Sequence, residues 1–259
     1  MIGCCLRCTL LLPCPLPRII PLAFPRIVVP GCPHHVLHRG NRKQNIFFDD
    51  SDRLVYLRLM HDACKKYRTF IWTYALMDNH VHHVAVPEGE HSLHKTMKVA
   101  HGDYTAYLNS KHGLVGHAWQ GRFKSFPMDE PYCQNAIRYI ELNPVRAGIV
   151  RRAEDYLWSS APAHCGLRDD LLLSGDCPIV GQIPNWSEWL RLDFNDAENE
   201  IIRRHSQSGR PLGPKEFLVR IGTQIGRNLL PKKRGPRPKA AGSDGRDTDE
   251  DGPVDPLFR

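Results

Sequence analysis

No run of eighteen apolar residues is free of both charge and proline, which argues against a membrane-spanning helix. No acidic residue precedes Asp49, whereas Arg7, Arg18, Arg26, Arg39, Arg42 and Lys43 all do, so the leading segment is charged with one sign only. No Cys/His pair follows Cys4, Cys5 and Cys8 at a zinc-finger spacing, so these three are not read as a metal knuckle. There are no internal repeats. What is present is a chain of 259 residues, 41% hydrophobic and 24% charged, which can bury a core and is not globally disordered. Lys and Arg number 35 against 28 Asp and Glu, a net charge of +7. That balance favours an anionic partner, nucleic acid first. The nine cysteines are an odd number with five before residue 33; Cys64, Cys133, Cys165 and Cys177 are scattered and read as reduced thiols of a cytosolic protein.

Residues 1–24 are rich in Cys, Leu and Pro. Without a basic leading region or a small-x-small cleavage site they read as a disordered extension rather than a signal peptide. From residue 25 the texture is that of a folded domain. A strand is expected over His34–Arg39 and a turn at Gly40-Asn41. A helix capped by Asp50 or Ser51 should follow, then a strand over 69–77 with Phe70, Trp72, Tyr74 and Leu76 on one face. The next strand is HVHHVAV, ended by Pro87. A helix over 92–108, a strand within 117–128 and a helix from Pro131 to Leu142 complete the series. The order β-α-β-β-α-β-α predicts an α+β fold, a ferredoxin-like sandwich of helices on an antiparallel sheet. The expected domain spans 25–166. A helical extension over 167–230 and a disordered tail over 231–259, first basic and then acidic, follow it.

Two patterns carry chemistry. His80 and His82 are i and i+2 on a strand, so both imidazoles project from one face and can converge on one ion; His83 points the other way. Alone, such a triplet also arises by chance among 14 histidines. Tyr139 and Asn143 are i and i+4 on a helix and share a face, so a phenol stands one turn from an amide. Read blandly, Tyr139 packs on the sheet and Asn143-Pro144 stops the helix.

The segment MDNHVHHVAV closely resembles the HUH strand of the single-tyrosine HUH transposases. HHVLHRGNRKQNIF, HGLVGHAWQGRFKS and RYIELNPVRAGIV resemble their REP-associated tyrosine transposase branch, in the family's order over roughly residues 25–165. The segment from Arg203 to Lys239 also looks like C-terminal extensions of that branch. The resemblance implies that His80 and His82, with Asn143 as third ligand, bind a divalent ion, Mg²⁺ or Mn²⁺, and that Tyr139 is the nucleophile. It implies cleavage and rejoining of single-stranded or hairpin DNA through a 5′-phosphotyrosine, by a monomer or homodimer in the bacterial cytoplasm at the nucleoid. DNA contacts are expected from Arg39, Arg42 and Lys43, from Arg122 and Lys124 about the GRF segment, and from Lys232, Lys233, Arg234 and Arg237 in the tail. Trp119 and Phe123 read as core rather than as base-stacking platforms. Two departures stand out: the residues after the histidine pair are His-Val rather than two aliphatics, and the Cys/Pro-rich extension has no family counterpart. The rival readings are a domesticated, non-catalytic DNA-binding protein on the same fold and a metal-dependent hydrolase with a water nucleophile.

Overall fold

The computed structural model describes residues 26–192 and 196–231. The extension over 1–24 and the tail residues Lys232, Lys233, Arg234 and Arg237 lie outside the described residues. Seven elements make the α+β frame: β1 (His34–Arg39), α1 (Asp50–Tyr67), β2 (Thr69–Met77), β3 (His80–Pro87), α2 (Ser92–His112), β4 (Lys124–Pro127) and α3 (Glu130–Glu141). The sheet order is β2-β3-β1-β4, and every pairing is antiparallel. Alternation along each strand divides the sheet's side chains between two faces. Val36, Val81 and Ala85 join Tyr56, Met60, Met97 and Tyr104 beneath α1 and α2. Ala75, Val84 and Phe126 join Ala136, Ile137, Tyr139 and Ile140 beneath α3.

The chain continues through α4 (Asn143–Arg146), α5 (Ala161–His164), α6 (Trp186–Arg191), α7 (Asp196–Ser208) and α8 (Lys215–Gln224). Residues beyond 166 share the core of the sheet: Trp186, Leu190, Ile202 and Leu212 are buried in the α3-side cluster, and Leu172 in the α1/α2-side cluster. Burying each such side chain is worth about 1.5–3 kcal/mol. Phe217 and Ile221 of α8 close on Val29 and Cys32, ahead of β1. No helix among the described residues is long and apolar enough to cross a membrane, and the described cysteines, Cys32, Cys64, Cys133, Cys165 and Cys177, are free thiols.

Four local expectations need correction. The cap of α1 is Asp49, whose carboxylate accepts from the Asp52 amide at 3.0 Å while Asp52 accepts from the Asp49 amide at 3.4 Å. This reciprocal capping satisfies two otherwise orphaned donors. Helix α2 runs on to His112, where Gly113 takes a left-handed φ of 63°. The strand within 117–128 contracts to β4, because Gly116 and Gly121 adopt φ of 91° and 58° and break the extended run. In β2 a bulge between Ile71 and Thr73 resets the alternation: Ile71, Tyr74 and Leu76 lie in the α1/α2-side core, whereas Trp72 and Ala75 join the α3 side. After β1 the chain doubles back so tightly that a Cβ on Gly40 would stand 2.1 Å from the Gln44 carbonyl oxygen. Glycine is required there, and the turn it permits carries Arg42 and Lys43, both at positive φ.

Candidate active site

His80 and His82 leave β3 on the face covered by α3. Their rings are 5.0 Å apart, centroid to centroid, and His82 stands 6.0 Å from the ring of Tyr139. The chain is nearly continuous from α3 into α4, because Leu142 donates to the Arg138 carbonyl and Arg146 donates to that of Leu142. Pro144 thus does not end the helical path, which continues for one turn. Tyr139, Asn143, Arg146 and His80 line one cavity of about 230 Å³, together with Asn79, Asp78 and Arg203.

The hydrogen bonds fix the tautomers of both histidines. Ser206 of α7 donates its hydroxyl to the Ile202 carbonyl at 2.9 Å, so its oxygen accepts from His35 Nδ1 at a long 3.5 Å. His35 Nε2 then carries the lone pair and accepts from His82 Nδ1 at 2.8 Å. Asn79 donates Nδ2 to the Lys43 carbonyl, which aims its Oδ1 at His80 Nδ1, 2.6 Å away. Both Nε2 atoms are left as bare lone pairs. Both rings are also held neutral. Burial, and then the Arg39 cation, push His80 down to about 3; burial, with the neighbouring His80, His35 and Arg146 contributing less, holds His82 far below its ordinary value. Neutral imidazoles with engaged Nδ1 atoms have the form that metal ligands take.

Asn143 fits the same purpose, since its Nδ2 is buried with no partner. Turning the amide over puts Oδ1, a cation donor, in that position. Two imidazoles and one amide are the donors available: among the described residues no group of three or more His, Cys, Asp or Glu is arranged to hold a metal ion.

Tyr139 is only 4% exposed. The Arg146 guanidinium lies over its ring, 4.0 Å from the centroid, and donates from Nη2 to the Tyr139 carbonyl at 2.7 Å. The helix end that carries Tyr139 is anchored by Glu141. Its Oε1 accepts from Thr73 at 3.1 Å, Ser160 at 2.5 Å and His164 at 2.6 Å, and its Oε2 accepts from the Trp186 indole at 2.7 Å. Burial alone would raise the Glu141 carboxyl, but the His164 charge and the hydrogen bonds from His164, Ser160 and Trp186 hold it below its ordinary value.

A second, larger hollow of about 710 Å³ adjoins the first. Arg39, Lys43, Arg122 and Lys124 line it together, with Gln120, Gln207 and Glu200. Arg42 is exposed on the turn beside it but does not line it. Arg203 lines both hollows. Sequence reasoning assigned no site role to Arg203, His35, Arg146 or Ser206. The spacing of Glu200, Arg203 and Gln207 on α7 was a usable signal, since i, i+3 and i+7 share a helix face. On the opposite face of the sheet, His38 and His101 meet at 2.8 Å, Tyr56 reaches His101 and His83 at 3.1 and 3.4 Å, and Trp119 stacks on His101 at 4.2 Å. Trp119 and Phe123 are buried there and belong to the core.

Residues 28–143 of the 259 match the family described as transposase IS200 like. The match opens ahead of β1, holds His80, His82 and Tyr139, and ends at Asn143. Among solved structures the chain is similar to one described as a REP-associated tyrosine transposase bound to a REP hairpin. The likeness is 18% in identity with a TM-score of 0.45, and covers 60% of this chain and 92% of that one. No curated protein gives a significant match.

Proposed function

We propose that this protein is a REP-associated, single-tyrosine transposase that cuts and rejoins single-stranded or hairpin DNA through a covalent tyrosine intermediate. The observation that carries the reading is the convergence of Tyr139, Asn143, His80 and Arg146 on one cavity, with His82 beside the phenol ring. His80 and His82, through their bare Nε2 atoms, and Asn143 through its amide oxygen would hold a divalent ion, Mg²⁺ or Mn²⁺. When bound, such an ion supplies Lewis-acid stabilisation of charge on phosphoryl and leaving oxygens. The phenolic oxygen of Tyr139 attacks phosphorus; the new O–P bond forms as the bond to the 3′ oxygen breaks, and that oxygen leaves as a hydroxyl. The phosphodiester energy is retained in the 5′-phosphotyrosine, so another 3′-hydroxyl can reverse the step without ATP. Arg39, Lys43, Arg122 and Lys124 present a cationic path for the strand backbone to the cavity.

The test uses labelled single-stranded oligonucleotides taken from the DNA flanking the gene, incubated with the full chain and Mg²⁺ or Mn²⁺. Wild type should yield a cleaved strand and a covalent adduct on the Tyr139 peptide. Tyr139→Phe, which removes one oxygen and keeps the ring, should lose both while still binding DNA. An adduct on another tyrosine would overturn the assignment. Cleavage without an adduct would favour a water nucleophile, and binding without cleavage a domesticated DNA-binding protein.

A further inference from the structure

Two cations line the Tyr139 cavity, and among the described residues the one acid paired with either of them is Glu200, 3.8 Å from Arg203. Arg146 gives one nitrogen to the Tyr139 carbonyl, but its Nη1 is buried with no partner. Arg203 has a buried, unpartnered Nε, and its ion pair with Glu200 is stretched to 3.8 Å, with the glutamate side chain 59% exposed. The acid that lines the cavity, Asp78, is already paired with Arg53. Two guanidinium groups on one small cavity repel each other unless an anion sits between them. Burial, opposed by the Tyr139 phenol and reinforced by the Arg203 charge, brings Arg146 down to about 10.

The placement is also directional. Arg203 lines the cavity and the basic hollow together, so a strand backbone laid along Arg39, Lys43, Arg122 and Lys124 reaches Arg203 before it reaches Tyr139. A guanidinium fork matches phosphate oxygens in pairs, which an ammonium does not. Helix α7 lies outside the family-matched residues 28–143.

We infer that Arg146 and Arg203 form a phosphate clamp that seats the scissile phosphodiester against Tyr139 and meets the charge that grows on its oxygens during transfer. This rests on the transposase reading above and names two further residues of the same site, one of them from the C-terminal part of the chain.

The experiment compares full-length wild type, Arg203→Gln and Arg203→Lys in two ways. The first is cleavage of a DNA strand carrying either an ordinary phosphate or an uncharged methylphosphonate at the scissile position. Losing one such donor should slow the ordinary substrate about 10²-fold. Arg203→Gln should slow the methylphosphonate far less, because the charge that Arg203 meets is already gone. Arg203→Lys keeps the charge without the fork; it should recover part of the rate and show that the site still folds. Equal slowing of both substrates, or no slowing of the ordinary one, overturns the clamp while leaving the transposase reading intact. The second measurement needs no catalysis: inorganic phosphate should raise the melting temperature of wild type more than chloride at equal ionic strength, and Arg203→Gln should lose that excess. If no protein cleaves DNA, the transposase reading falls and this second measurement decides the clamp, an unchanged phosphate effect in Arg203→Gln overturning it.

Discussion

His35 is the residue on which the orientation of His82 depends. It accepts from His82 Nδ1 and passes the constraint on to Ser206. Partners of this kind fix the tautomer and angle of a ligating imidazole, and losing one commonly lowers metal affinity about 10–100-fold. His35→Ala should therefore weaken Mn²⁺ binding to the full chain by about that factor, with Ser206→Ala having a smaller effect because its contact is long. Mn²⁺ titration followed by electron paramagnetic resonance checks this; undiminished affinity in a folded His35→Ala protein would show that His82 is oriented by the strand alone. Tyr139 poses a different question at the same scale. It lies under Arg146 and is nearly covered, so the bland reading of a packed tyrosine and the reading of a nucleophile describe the same side chain. Its exposure does not distinguish the two; the Tyr139→Phe comparison does.

The element that most constrains the site is α3. Its C-terminal end is held by a buried carboxylate with four donors drawn from β2, the two ends of α5, and α6. Removing one partner of a buried pair leaves the others uncompensated, at a cost of about 3–5 kcal/mol. Glu141→Ala should lose about that much stability in urea unfolding, and any folded fraction should cleave more slowly as the Tyr139 turn loosens. A loss under about 1 kcal/mol would mean that water replaces the carboxylate. The order of elements was readable because hydrophobic periodicity and turn residues are local. The strand face of His80 and His82 and the shared face of Tyr139 and Asn143 follow from spacing alone. The bulge at Trp72 and the shortened β4 were not readable, since both depend on how strands pair across the sheet. The roles of Glu141 and α7 were hidden for the same reason: Trp186 and Arg203 reach the site only through tertiary packing.

At the scale of the whole molecule, the central sheet holds neutral histidines on both faces. Burial pushes His34 and His38 down to about 4 and His35 and His83 to about 3; burial, with the Arg39 cation for His80 and neighbouring histidines for His101, also brings His80 to about 3 and His101 far below its ordinary 6.5. Each therefore binds a proton more readily when unfolded. The sign follows: their contribution is fully present above pH 6.5 and is lost as the pH falls toward the folded values near 3 to 4. The raised pKa of His164, where the pairing with Glu141 outweighs burial, acts oppositely, adding stability below pH 6.5 that fades as the pH rises. With several rings against one, urea midpoints measured from pH 7.5 to pH 4 should stay level down to about 6.5 and then drop with a slope of more than one proton. A midpoint unchanged down to pH 4 would show that the rings are hydrated in the folded protein.

The contact between Ser206 and His35 joins positions 171 residues apart. At ordinary rates of synthesis a ribosome needs roughly 10–30 s to travel that distance. Over the last stretch of it, from Tyr139 to Ser206 and roughly 3–13 s long, the growing polypeptide already contains the tyrosine and both histidines, but not the whole of the helix that steadies His82 and covers the α3 side of the sheet with Ile202. If the site acts as proposed, competence arrives late and in one step, when α7 is made and docks. On the proposed transposase reading, an interrupted or prematurely terminated copy ending before α7 would carry Tyr139 without the support that the site needs, and the DNA around the ribosome would be spared.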